Sequence, residues 1–218
     1  MGRSVCIIGT CGYPSYYGGF ETLVRQLAPY LVDHGWRVVV YGRPADVDQH
    51  DPERDPRVEA VMTRGLDRKS FSTITYGFTS AVHASVRVRP DVALVMNVAN
   101  GFWLPMLRSC GIPTIVNVDG VEWEREKWGT VARSVFRAGA SATARHATEL
   151  VYDSTALAQR WSAMSGRDGT YIPYGGVFRT KGPAPSWRRR RTGAPPRPTG
   201  RRGTRGPPQP FRPRLVVT

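Results

Sequence analysis

The sequence predicts an α/β fold, a Rossmann-like open parallel sheet with helices on both faces. Three observations carry this. Across residues 1–175, short β-branched runs alternate with longer helical stretches in β-α-β-α order. The first run, Ser4–Gly9 (SVCIIG), is apolar on both faces, as a strand buried within a parallel sheet must be. The composition, 40% hydrophobic and 22% charged over 218 residues, is enough to build a core.

The elements follow in order. After Ser4–Gly9 comes a glycine-bearing loop, then a helix over Gly19–His34 with Leu23, Leu27, Tyr30 and Leu31 on one face. Gly35 stops it and Trp36–Tyr41 (WRVVVY) forms the next strand. The polar stretch Gly42–Asp55 is a surface loop. Val58–Thr63 and Asp91–Asn97 read as strands, with a helix over Phe71–Val88 between them. A helix over Phe102–Cys110 precedes the strand Pro113–Val118, and a long helical region spans Trp123–Arg145. Glu149–Asp153 (strand), Ser154–Ser165 (helix) and Thr170–Pro173 (strand) close the series. No internal repeat interrupts it.

Charge is unevenly placed. The formal net charge is +14, yet Lys181–Thr218 alone holds ten Arg and one Lys with no acidic residue, and nine of the 18 prolines. Residues 1–180 keep the other 20 of the 31 basic side chains against 17 acidic ones, a net of +3. The expected organisation is a near-neutral domain over 1–176 and a disordered Arg/Pro/Gly-rich tail over 177–218. No apolar run reaches the ~18 residues of a membrane span, and MGRSVCIIGTCG reads as a strand with its loop, not a secretory leader. Cys6, Cys11 and Cys110 lack disulfide or zinc-site spacing, so reduced thiols and a cytoplasmic setting are expected. G-x-S-x-G, P-loop and H-E-x-x-H motifs are all missing, and His34, His50, His83 and His146 have no partner at a telling spacing.

In an open parallel sheet, ligands bind beyond the carboxyl ends of the strands. The loop after the first strand, G-T-C-G-Y-P-S-Y-Y-G-G-F-E-T (Gly9–Thr22), puts Gly18 and Gly19 where a helix begins. Backbone there can approach a ligand, and the helix N-terminus favours an anion such as a diphosphate; equally, the glycines can serve only the turn. Tyr16 and Tyr17 offer a platform for a sugar ring or plain loop packing, and Glu21 suits the first helical turn without any function. Asn97 and Asn100 follow the Asp91–Asn97 strand. Asp119 directly follows Pro113–Val118, ahead of Glu122, Arg125 and Lys127. Two readings of Asp119 stand together, a base or hydroxyl-binding group in the cleft and a cap or Asx-turn before the next helix. Arg125 and Lys127 are phosphate-pairing candidates or members of a solvated face.

Gly9–Thr22 resembles the opening of a bacterial group of family 4 GT-B glycosyltransferases that includes rhamnosyltransferases of capsule and cell-wall polysaccharides. Asn117–Trp128 (NVDGVEWEREKW) is similar to that group's second signature, and VYDSTA from Val151 and YIPYGG ending at Gly176 to its approach to the interdomain hinge. The match covers about residues 3–178. The resemblance implies a two-domain, metal-free, retaining enzyme using a nucleotide-sugar as co-substrate. This chain would supply the acceptor-side domain, with a polysaccharide or lipid-linked acceptor, rhamnose as a candidate sugar, and a position at the inner membrane face. Gly18 and Gly19 would lie against the donor diphosphate. Asp119 would orient the acceptor hydroxyl or stabilise charge at the sugar, with Tyr16, Tyr17, Glu21, Asn97, Asn100, Glu122 and Arg125 on the acceptor side. Trp123, Trp128, Arg133 and Arg137 are candidates for a membrane-facing surface or for core packing.

The group's second, donor-binding domain should begin after Gly176, where this sequence has its basic tail. Arg, Pro, Gly and Ala are what GC-rich DNA encodes out of frame, so the expectation is a coding frame lost between about Phe178 and Ser186 and a chain inactive alone. The alternatives are a non-catalytic binding domain, half of a split enzyme, or a tail that binds nucleic acid non-specifically.

Overall fold

A computed structural model describes residues 2–48, 50–66, 69–126 and 128–174, within the compact unit Met1–Gly176. Lys127, Gly176 and the tail 177–218 lie outside the described residues. The strands are β1 (Ser4–Ile8), β2 (Arg37–Gly42), β3 (Glu59–Met62), β4 (Val92–Met96), β5 (Thr114–Val118), β6 (Glu149–Tyr152) and β7 (Thr170–Tyr171). They form one sheet in the order β3-β2-β1-β4-β5-β6-β7, and every neighbouring pair is parallel. The helices are α1 (Gly19–Asp33), α2 (Lys69–His83), α3 (Leu104–Ser109), α4 (Thr130–His146) and α5 (Thr155–Ser165).

Strand alternation sorts the core into two layers. Cys6, Ile8, Val39, Tyr41, Val95, Val116, Val118 and Leu150 face one way and meet Ala81 of α2, Leu104 and Leu107 of α3, Ala140 of α4 and Trp161 of α5. Val5, Ile7, Val38, Val40 and Met96 face the other way, onto Val24 and Ala28 of α1. Burying each such side chain contributes about 1.5–3 kcal/mol, which explains why the central strands carry almost no polar residue. The three cysteines are free. Burial pushes the Cys6 and Cys11 thiols up to about 12, the Glu21 charge adding to the effect at Cys11, so both stay protonated at neutral pH.

Three expected helices have different limits. The region Trp123–Arg145 is a short 3-10 turn (Glu122–Glu124) followed, after Gly129, by α4. Extended Arg125 separates them, because Glu122 turns back to accept a hydrogen bond from Trp128 Nε1 at 3.1 Å and to pair with Arg125 at 2.8 Å. The helix expected from Phe102 starts earlier, as a 3-10 segment Val98–Trp103, since the Asn97 side chain accepts from Ala99 N–H at 2.8 Å. α2 runs on into a π-helical turn, Ala84–Val88, which ends at Arg89 with φ 47°.

The Val98–Trp103 segment packs backbone to backbone on α4. A methyl group at Gly101 would lie 2.2 Å from Gly139 O and 2.3 Å from Thr143 Oγ1. Gly101→Ala is therefore expected to lower stability by about 1–3 kcal/mol in urea unfolding. Gly129→Ser, at the uncapped start of α4 where a Cβ meets nothing within 4 Å, should leave it unchanged or raise it.

Candidate functional site

Successive strands grow outward in opposite directions from β1 and β4, and the loops beyond their carboxyl ends part to leave a cleft of about 640 Å³. Gly9, Gly18, Gly19, Glu21, Asn97, Asp119, Glu122 and Arg125 all line it, as does Tyr17, which is 86% exposed.

The loop after β1 is held from beneath. Gly9 has φ +92°, and a side chain there would meet Met96 O at 2.2 Å, so this glycine is required by the crossing of β1 and β4. Thr10 Oγ1 donates to Tyr41 O at 3.1 Å and accepts from Gly12 N–H at 3.2 Å. Glu21 is buried in the first turn of α1, and its Oε1 accepts from Cys11 N–H at 3.3 Å. It ties the loop to the helix while its charge balances the helix N-terminus. Gly18 precedes α1 in extended conformation with no side-chain cap, and a Cβ on Gly19 would only touch the Tyr174 ring at 3.8 Å.

Asp119 is the centre of the site. Its Oδ2 accepts from Asn97 Nδ2 at 3.2 Å, while its Oδ1 is buried with no hydrogen-bond partner. The residue before the following 3-10 turn is Val121 and no side chain caps that turn, so the cap reading of Asp119 does not hold. Burial, reinforced by the charges of Glu122 and Asp153 and opposed by its own main-chain N–H and by Arg125, pushes its carboxyl up to about 7. Asn97 has φ 69°, unusual for a non-glycine residue, and this conformation lets its amide oxygen start the Val98–Trp103 segment while its nitrogen reaches Asp119.

Other expected residues are committed elsewhere. Asn100 is 1% exposed and is not part of the cleft wall; its Nδ2 donates to Met96 O at 2.8 Å under the β1–β4 crossing. Tyr16 points outward, its hydroxyl 3.1 Å from both Asp51 Oδ1 and Glu53 Oε2, with Arg25 stacked 4.3 Å from its ring centroid. Trp128 packs on Phe136 with ring centroids 5.0 Å apart and Trp123 on Trp161 at 6.3 Å.

Sequence reasoning passed over Asp153, Tyr174, Arg43 and Thr73, which also line the cleft. Asp153 directly follows β6 as Asp119 follows β5, and that shared position was the available signal. Tyr174 donates from its hydroxyl to Asn117 Oδ1 at 2.8 Å. The lining holds five carboxylates, Glu21, Asp46, Asp119, Glu122 and Asp153. Its two guanidiniums each face a carboxylate, Arg43 4.0 Å from Asp46 and Arg125 2.8 Å from Glu122. Such a surface suits a ligand rich in hydroxyl donors better than an anion. Among the described residues no three of His, Cys, Asp and Glu converge as a metal site.

The family described as Glycosyl transferase 4-like domain matches residues 18–175. The chain belongs to that family. Solved structures show this glycosyl transferase 4-like fold in sucrose-phosphate synthase from Thermosynechococcus elongatus (20% identity, TM-score 0.56, covering 80% of this chain and 48% of that one). An Anabaena protein, HepE, in complex with UDP and glucose matches at 14% identity and TM-score 0.53, over 80% of this chain and 45% of its own. The catalytic domain of starch synthase IV from Arabidopsis thaliana, bound to ADP and acarbose, matches at 12% identity and TM-score 0.53, over 80% and 52%. The chain thus spans about half the length of these structures. No curated protein sequence matches it. Among the described residues no helix is long and apolar enough to cross a membrane.

Because the Asp119 carboxyl is raised from 3.8 to about 7, the folded domain holds a proton that the unfolded chain has released between those values. This contribution to stability falls as pH rises through that window and levels off above it. Asp119→Asn is expected to be more stable than wild type at pH 8 and to lose that advantage at pH 4, measured by urea unfolding.

Proposed function

We propose that the cleft binds the saccharide acceptor of a glycosyl transfer, with Asp119 as the group that receives the reacting hydroxyl. The observation that carries this reading is the free Asp119 Oδ1, a buried acceptor atom beside a cleft walled by carboxylates. A buried polar atom without a partner costs about 1–3 kcal/mol, and a sugar hydroxyl donating to it removes that cost. Asn97 fixes the other oxygen and hence the direction of the carboxylate. Glu122 and Asp153 stand beside it for neighbouring hydroxyls.

The donor in this reading is a nucleoside diphosphate sugar, the class suggested by the UDP and ADP bound in HepE and starch synthase IV. The acceptor oxygen bonds to the anomeric carbon as the bond from that carbon to the diphosphate oxygen breaks. Asp119 orients the hydroxyl, and the departing phosphate takes its proton. Gly18 and Gly19 would offer main-chain N–H groups to the diphosphate. With Glu21 balancing the helix end, most of that charge must be met by the donor-binding half. No metal cofactor enters the reading. Its finer form, rhamnosyl transfer in polysaccharide assembly, has support only from the motif resemblance at Gly9–Thr22 and Asn117–Trp128.

Isothermal titration of the chain with a panel of cell-wall oligosaccharides tests it. Asp119→Ala is expected to weaken binding of a responding saccharide about tenfold or more, and Tyr16→Phe to leave it unchanged. Saccharide affinity indifferent to Asp119→Ala would contradict the reading.

A further inference from the structure

The turn Glu122–Glu124 has a second cleft against it. While Glu122 lines the acidic cleft, its neighbour Trp123 lines another of about 560 Å³. α4 separates the two in the same way, Phe136 on the first and Arg137 on the second. This second cleft is within the size range of small-molecule sites, and its character is the reverse of the first. Among the described residues three guanidiniums line it, from Arg137, Arg145 and Arg167, and no carboxylate does. Two indoles, Trp123 and Trp161, stand edge to face at its base, with Met164, 48% exposed, at its margin.

The guanidiniums differ in commitment. Arg167 is anchored, donating to Ala144 O at 2.9 Å and Ala147 O at 3.2 Å at the end of α4. Arg137 and Arg145 are exposed, eight residues and so about two turns apart on α4, and among the described residues neither has an ion pair or hydrogen bond. Nothing on α4 offsets them, for the helix holds no acidic residue. The half-buried Trp123 indole, backed by the buried Trp161 and lying in one cleft with two guanidiniums, is the chemistry that holds an aromatic ring bearing phosphates.

We propose that this second cleft is a binding site for a small polyanion with a planar ring, of the nucleoside diphosphate class. The site is coupled to the acidic cleft through two contacts. Trp161 Nε1 donates to Gly120 O at 3.4 Å, next to Asp119, and Trp123 shares its turn with Glu122. A ligand on Trp123, which packs on Trp161, therefore bears on the loop that carries Asp119.

The test is titration of the full chain with ADP, followed by tryptophan fluorescence and equilibrium dialysis, beside the double variant Arg137→Ala/Arg145→Ala. Both side chains are exposed, so the variant should keep the wild-type melting curve, and it retains the basic tail, so the tail's non-specific anion binding is present in both proteins. The expected result is saturable quenching by ADP that weakens about tenfold or more in the variant, with inorganic diphosphate binding more weakly than ADP because it lacks the ring. Equal ADP affinity in the two proteins overturns the proposal. So does a response to diphosphate as strong as to ADP, or an arginine-dependent response confined to vesicles of anionic lipid. None of these outcomes bears on saccharide binding at Asp119, which the variant leaves intact.

Discussion

β1 and β4 lie side by side although α1, β2, β3 and α2 separate them in sequence, and the closeness of that crossing is the constraint on which the cleft depends. The backbone after β1 passes so near Met96 O that only glycine is tolerated at position 9. Asn100 lies beneath, bonded to Met96 O, and presses on α2 at Gly77, where an added Cβ would stand 1.9 Å from its Oδ1. With the chain pinned there, Asn97 must turn sharply, and its left-handed conformation directs one end of its amide to Ala99 and the other to Asp119. The site is thus a by-product of backbone packing between two adjacent strands. The same crossing supplies the divergence of loops that opens the cleft.

The energetics of that arrangement point one way. The sheet is stabilised by its two apolar layers, and the carboxyl ends of its strands carry groups that do not add to stability. Asp119 has one unsatisfied oxygen and two carboxylates acting on it, Glu122 and Asp153. Glu122 is balanced by Arg125 and Trp128, and Glu21 by the end of α1. At Asp119 the balance is incomplete, and an incomplete buried carboxylate in a cleft is where a ligand contributes most.

Much of this was legible in the sequence. Parallel strands buried on both faces leave an unmistakable apolar run, so SVCIIG and WRVVVY gave the sheet, and the strand-end rule led to Asp119 and Asn97. The alternative role of Asp119 as a cap could not be decided in one dimension, since it turns on which residue begins the next turn and on a hydrogen bond from Asn97, 22 positions away. Asp153 follows the same rule but stands before a serine that caps α5, which drew attention to the helix instead. Asn100 and Tyr16 are polar residues that read as binding groups in the sequence, and in the fold Asn100 bonds Met96 four residues back while Tyr16 bonds the distant Asp51 and Glu53. The break between Glu124 and Thr130 was hidden because Glu and Arg suit a helix, and it is made by the side-chain pairing of Glu122 together with Gly129 at the start of α4.

The central claim is that a saccharide hydroxyl completes the Asp119 carboxylate. The direct measurement is the carboxyl ¹³C titration of Asp119 by NMR, recorded without and with saturating saccharide. A midpoint near 7 in the free protein that moves to lower pH on binding is the predicted result, because a donated hydrogen bond favours the ionised form. A midpoint that stays in place when the cleft is filled would show that the hydroxyl goes elsewhere, and would contradict the account.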